Sequence, residues 1–140
     1  MTSDRIKKIV VVGIGYVGLS NAVLLAQHND VTAVDRSSER VDMVNARKCP
    51  IVDAELEEFL SKRPLMLNAT TDLIAPLVGA DIVIIATPTD YDPDTNYFDI
   101  SSVEKLVAVV SEHAPGATIV IKSTIPVGCV KKLRKLTEYC

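Results

Sequence analysis

The chain is 140 residues long, 48% hydrophobic and 24% charged, with a formal net charge of −3. That length is one ordinary domain, that apolar content excludes a disordered chain, and the acidic balance argues against a general nucleic-acid binder. No apolar run approaches the ~20 residues of a membrane span. Gly13 and Gly15 interrupt the first apolar stretch, so no signal-peptide pattern follows the charged start. Aromatics are only 4% and Trp is absent, leaving Val, Ile, Leu and Ala as the apolar content. Such runs suit strands buried on both faces. Cys49, Cys129 and Cys140 are an odd count without a C-x-x-C pair. No disulfide framework is expected, and a reducing, cytoplasmic setting is.

Ile9 to Val12 is a short β-branched run, predicted as a strand. Tyr16 to His28 follows as a helix with Val17, Val23, Leu24 and Leu25 on its apolar side, ending near Asn29, which tolerates a left-handed conformation. Val31 to Val34 is a second strand, closed by Asp35. Ser37 or Ser38 caps a helix to about Ala46, and a turn runs through Cys49 and Pro50. Asp53 caps another short helix, with Glu55, Glu57 and Glu58 near its positive end. Leu65 to Ala69 reads as the third strand, Thr71 to Leu77 as a short helix limited by Pro76, and Ile82 to Ala86 as the fourth strand. Residues 87–99 read as a polar loop. Ser101 and Glu104 have capping-box spacing, and the helix behind them places Val103, Leu106, Val107, Val110 and Ala114 on one face. Pro115 and Gly116 end it, Thr118 to Ile121 is the fifth strand, and a basic helix from about Cys129 to Glu138 closes the sequence.

Strands alternating with helices predict an α/β fold with a parallel sheet covered on both faces. The expectation is a Rossmann-type doubly wound sheet of about five to six strands in the order 3-2-1-4-5, forming one domain over residues 1–140. No internal repeat, low-complexity segment or linker interrupts it.

Gly13-Ile14-Gly15-Tyr16-Val17-Gly18 matches G-x-G-x-x-G between a predicted strand and a predicted helix, the context that gives the pattern weight. Gly13 permits the tight turn, Gly15 lets a pyrophosphate approach the backbone, and Gly18 lets helix pack close to strand. The free N–H groups of the first helical turn then face the phosphates. Asp35, about 20 residues further on, is placed to accept hydrogen bonds from the adenosine ribose and to repel a 2′-phosphate. NAD is therefore the expected cofactor, although Arg36 and Arg40 are cations of the kind that accommodate that phosphate in NADP.

Residues 87–99 hold four Asp and no Lys or Arg. Asp90, Asp92, Asp94 and Asn96 begin like a calcium loop. Thr95 then stands in the glycine position, Pro93 falls inside, and Ser101 replaces the closing Glu, so no metal site is expected. The loop leaves the carboxyl end of the fourth strand at the point where the strand order reverses, where open α/β sheets bind ligands. Thr87 and Thr89 are its ligand candidates, because the aspartates would oppose a pyrophosphate. The fifth strand ends at the same edge in Lys122-Ser123-Thr124-Ile125-Pro126-Val127-Gly128. Ser123 and Thr124 serve either as helix-entry residues or as crevice residues, and position favours a functional Thr124. Cys129 has a helix start and Lys131 and Lys132 nearby but no histidine base near in sequence, so packing is favoured over catalysis. Lys131, Lys132, Arg134 and Lys135 read as a solvated helix face.

The segments Gly-Ile-Gly-Tyr-Val-Gly-Leu-Ser at 13–20, Ala-Thr-Pro-Thr-Asp-Tyr-Asp-Pro-Asp-Thr-Asn-Tyr-Phe-Asp at 86–99 and Lys-Ser-Thr-Ile-Pro-Val-Gly at 122–128 together resemble the UDP-glucose/GDP-mannose dehydrogenase family. The resemblance covers essentially the whole chain, and the long acidic loop points to the UDP-glucose branch. It implies oxidation of a nucleotide-sugar C6 alcohol to a carboxylate by two NAD-dependent hydride transfers through intermediates on a cysteine. By motif, the glycine loop with Val17, then Asp35, Arg40, Thr89 and Thr124, would contact NAD, and Ile14 and Tyr16 within the loop and Thr87 beside the crevice join the expected cofactor-binding set. Thr124 would also lie near the reacting centre and assist proton handling or position a water. None of the three cysteines matches the motif of the catalytic one. The chain is thus expected to be the N-terminal NAD-binding domain, lacking the central helix and the UDP-sugar domain, inactive alone, from a homo-oligomeric enzyme. A non-catalytic NAD(H)-sensing module and a dehydrogenase for GDP-mannose or another nucleotide sugar are the alternatives.

Overall fold

A computed structural model describes residues 6–50, 53–62, 65–87, 90–92, 97–99 and 101–122. Lys8–Val12 forms β1, whose β-branched run Ile9 to Val12 lies at the centre of a parallel sheet. It pairs on one side with β2 (Asp30–Val34) and on the other with β4 (Ile82–Ile85), so that Val10 sits opposite both Thr32 and Val83. β3 (Leu67–Thr70) and β7 (Thr118–Ile121) extend the two sides, giving the order β3-β2-β1-β4-β7. This is the expected 3-2-1-4-5 arrangement, all five strands parallel.

Alternate residues of each strand enter opposite cores. Ile9 and Val11 join a cluster with Leu19, Val23, Val41, Val44, Leu56 and Leu60. Those residues belong to α1 (Tyr16–Leu25), α2 (Ser38–Asn45) and α3 (Ala54–Lys62). Val10 and Val12 join a second cluster with Leu77, Val103, Val107 and Val110, from α4 (Ile74–Leu77) and α5 (Ser101–His113). Helices thus cover both faces, as the double winding requires. Among the described residues no helix is long and apolar enough to cross a membrane.

Four expectations change. Residues 87–99 are not a loop throughout, because Asp90–Asp92 (β5) and Tyr97–Asp99 (β6) pair antiparallel, with Tyr91 opposite Phe98. Tyr and Phe favour strands, and the Pro-Asp-Thr-Asn between the two is turn-forming in composition. α1 ends at Leu25, three residues early, and Asn29 stops it with its side chain: Nδ2 and the backbone N–H both donate to Leu25 O, at 3.1 and 3.0 Å. The left-handed residue is instead Arg47, with φ 62°, just beyond α2. The helix expected from Thr71 is confined to Ile74–Leu77. Asp72 accepts from the Ile74 N–H at 3.0 Å and so marks its start. Ser101 lies inside α5 rather than before it. The basic helix expected at 129–138 lies outside the described residues.

Candidate functional site

β1 delivers the chain to α1 on one face, and β4 delivers it toward α5 on the other, so a crevice opens between Val12 and Ile85. Gly13 turns the chain there with φ +105°, a region closed to other residues. Its N–H donates to Val34 O at 2.7 Å, and a Cβ on it would sit 2.9 Å from Ala86 O and 3.1 Å from Thr87 N. The glycine loop therefore touches the backbone leaving β4. Gly18 is needed for packing, since a Cβ there would overlap Gly13 O and crowd Ala86 Cβ.

Gly15 differs. It is the N-cap of α1 with φ −103°, makes no side-chain cap, and a Cβ on it would meet nothing within 4 Å. The first intrahelical acceptance is Leu19 N–H to Gly15 O at 2.9 Å, so the preceding amides of the turn are the orphan donors of the helix end. No acidic residue lies in that turn. Tyr16 and Val17 are exposed at this end of the helix. Space clear of the described residues, beside N–H groups that no described residue answers and a positive helix end, fits a pyrophosphate.

Asp35 follows β2 at the same edge. Its Oδ2 accepts from the Ile14 N–H at 2.7 Å and its Oδ1 from the Ser37 N–H at 2.9 Å. Each oxygen keeps a second lone pair, so acceptance from ribose hydroxyls remains open to it. Ser37 caps α2 by accepting from the Arg40 N–H at 3.3 Å. Arg40 Nη1 turns back and donates to Ile14 O at 3.0 Å. The structure thus brings Gly13 to Gly18, Asp35, Arg40 and Thr87 together around one loop. The sequence reading missed the Asp35 bond to Ser37 and both bonds to Ile14. The only signal was spacing: capping by Ser37 puts Arg40 in the first turn of a helix that starts where the glycine loop lies. Thr89, Ser123, Thr124, Cys129 and Cys140 lie outside the described residues. Cys49 is a partly buried free thiol packed against the α1–α3 core.

The model for the "UDP-glucose/GDP-mannose dehydrogenase family, NAD binding domain" matches residues 7–140. The chain belongs to that family. NAD is therefore the cofactor of this domain, and the loop described above has the residues to hold it. A UDP-glucose 6-dehydrogenase of Streptococcus pneumoniae is 47% identical over 128 residues, 91% of this chain and 32% of that protein. A UDP-N-acetyl-D-mannosamine dehydrogenase of Pyrococcus horikoshii is 33% identical over 135 residues, 94% of this chain and 32% of that protein. Among solved structures, a ternary complex of GDP-mannose dehydrogenase from Pseudomonas aeruginosa superposes with a TM-score of 0.82 at 28% identity, over 95% of this chain and 32% of that one. The chain spans about a third of the length of the curated dehydrogenases it matches.

Proposed function

We propose that residues 1–140 are the NAD-binding domain of a UDP-glucose 6-dehydrogenase, with a sugar-nucleotide domain and a catalytic cysteine supplied by other parts of the whole protein. The observation that carries the substrate is the 47% identity to the Streptococcus pneumoniae enzyme of that name. The whole protein then oxidises the sugar C6 alcohol to a carboxylate in the cytoplasm as a homo-oligomer. Bound NAD supplies the hydride acceptor. The chain's own residues bind and orient. Gly15, Tyr16, Val17 and Gly18 present amides to the pyrophosphate, and Gly13 and Ile14 shape the turn that aims them. Asp35 accepts from the adenosine ribose and repels a 2′-phosphate. Thr87 and Thr89 line the crevice where the nicotinamide end lies, and Thr124 holds a water or a proton near the reacting carbon.

Titration calorimetry with NAD and NADP tests the cofactor roles. NAD binds the 140-residue chain at least about tenfold more tightly than NADP, a difference of ~1.4 kcal/mol. Equal or tighter NADP binding removes the role given to Asp35. The isolated chain forms no NADH from UDP-glucose, and robust turnover would refute that inactivity. The relatives that act on GDP-mannose and UDP-N-acetyl-D-mannosamine make those sugars the second reading. Assaying the whole protein against all three substrates decides between them by kcat/KM.

A further inference from the structure

The α1 helix carries no charge on any face. From Tyr16 to Asn29 the chain has no Asp, Glu, Lys or Arg, whereas a surface helix ordinarily turns charged side chains outward. Leu19, Ala22 and Val23 are buried in the core, yet Tyr16 and Leu24 are each 63% exposed. Both line a groove of about 260 Å³ between α1 and α3. Val23, Leu56 and Phe59, in the core or packed against it, make its apolar floor. The polar groups of α1 in the groove turn back on their own helix. Ser20 Oγ donates to Tyr16 O at 2.6 Å, and Gln27 Nε2 donates to Leu24 O at 3.4 Å. The α3 wall is acidic. Asp53 and Glu55 line it, and no Lys or Arg is among the described residues that do. Asp53 Oδ1 accepts from the Leu56 N–H at 3.0 Å, which fixes its carboxylate at the start of α3.

The volume falls short of the ~300–1,000 Å³ of small-molecule pockets, so the groove suits the anchor side chains of a macromolecule. Charge selects that macromolecule. Carboxylates beside an apolar floor repel nucleic acid and anionic lipid and attract Lys and Arg. Backbone selects its form. Two helices offer no open row of N–H and carbonyl groups to an extended strand, whereas a helix arrives with its own bonds made. From Tyr16 to Gln27 the groove runs roughly 16 Å along α1, about three helical turns. We propose that the α1–α3 groove docks a basic amphipathic helix of a partner protein, with its apolar side chains on Leu24, Val23 and Phe59 and its cations toward Asp53 and Glu55.

The test uses two synthetic helical peptides with leucines at i, i+3, i+4 and i+7, one with lysines elsewhere and one with glutamates. Each is labelled and titrated with the whole protein by fluorescence anisotropy. The lysine peptide binds at least about tenfold more tightly than the glutamate peptide, and its affinity falls at least about threefold as salt rises through the physiological range. L24Q and E55K, at exposed positions outside the cofactor loop, each weaken it at least about fivefold and leave NAD affinity within about twofold. In NMR titration of the 140-residue chain the largest shifts fall on residues 20–27 and 55–59. Equal affinity for the two peptides overturns the proposal, as does unchanged affinity in either variant. So do shifts centred on the acidic stretch 87–99. Binding to the 140-residue chain but not to the whole protein also overturns it, because another part of the same protein then fills the groove. Sedimentation without peptide distinguishes a second copy: self-association of the parent that L24Q abolishes makes that copy the occupant and overturns the proposal. E55K carries the test where L24Q does not fold.

Discussion

Gly15 and Gly18 carry the same side chain for different reasons, and substitution separates them. At Gly18 a Cβ collides with backbone that cannot move away, so G18A destabilises the fold by about 2 kcal/mol or more. At Gly15 the backbone is extended and the space is open, so G15A changes stability by less than about 1 kcal/mol. On the function proposed above it nevertheless weakens NAD binding at least about tenfold, because the added methyl enters the space assigned to the pyrophosphate. Urea denaturation paired with NAD titration checks both halves. Arg47 presents a different conflict. Its left-handed backbone costs of order 1 kcal/mol, while its guanidinium donates to Val44, Leu65 and Leu67 carbonyls. R47G relieves the backbone but forfeits the three bonds, for a net loss of about 1–2 kcal/mol. R47A forfeits both and falls lower. A variant R47G as stable as the parent contradicts this balance. Residues like Gly18 are legible in sequence because the pattern that names them is local. Arg47 was not, because two of its three partners, Leu65 and Leu67, lie 18 and 20 positions away.

Among elements, β3 shows how the sheet finishes on that side. The Val31 and Asp35 N–H groups bond Met66 O and Thr70 O, so the groups of Leu67 and Ala69 turn outward. There Asn45 imitates a strand residue: Nδ2 donates to Ala69 O at 3.0 Å and Oδ1 accepts from the Ala69 N–H at 2.8 Å. Arg47 covers Leu67 O at 2.8 Å. One helix end thereby seals an exposed row of donors and acceptors that would otherwise template pairing with another chain. N45A loses two bonds, about 1–2 kcal/mol, and reopens Ala69. N45D costs at least as much, because a carboxylate cannot donate to Ala69 O. Light scattering during refolding detects the greater self-association expected of both variants. The helices on the two faces were legible because their apolar residues recur at helical spacing, and Val103, Val107 and Val110 are indeed fully or nearly fully buried. The ribbon of β5 and β6 was not. Three-residue strands carry too little periodicity to stand out against the Asp, Pro and Asn around them.

For the whole molecule, the acidic balance is local. Four of the acidic residues fall in 87–99, a stretch without Lys or Arg, and the remainder of the chain is near neutrality. The stretch follows β4 at the edge of the sheet where the glycine turn lies, and its charge is unfavourable to phosphate, so the pyrophosphate site proposed above rests on α1 and the glycine loop. Binding to the folded state alone raises stability by mass action. NAD at a hundred times its Kd adds about 2.7 kcal/mol, and NADP at that concentration adds clearly less. Thermal melts with each nucleotide check this, and equal shifts would contradict the discrimination assigned to Asp35.

The amino-acid sequence by itself determined the parallel α/β class, the strand order, and the place of the glycine turn between β1 and α1 with Asp35 closing β2. All of these rest on residues near one another in the chain: β-branched runs, glycines at set spacing, an Asp closing a strand. Only the tertiary structure decided that Asp35 holds the N–H and Arg40 the carbonyl of Ile14, and that Asn45 and Arg47 cover backbone groups on the β3 edge. Those contacts join positions 20 to 26 residues apart through backbone groups. A backbone N–H or carbonyl is the same in every residue, so nothing in the side-chain order marks which one will be met.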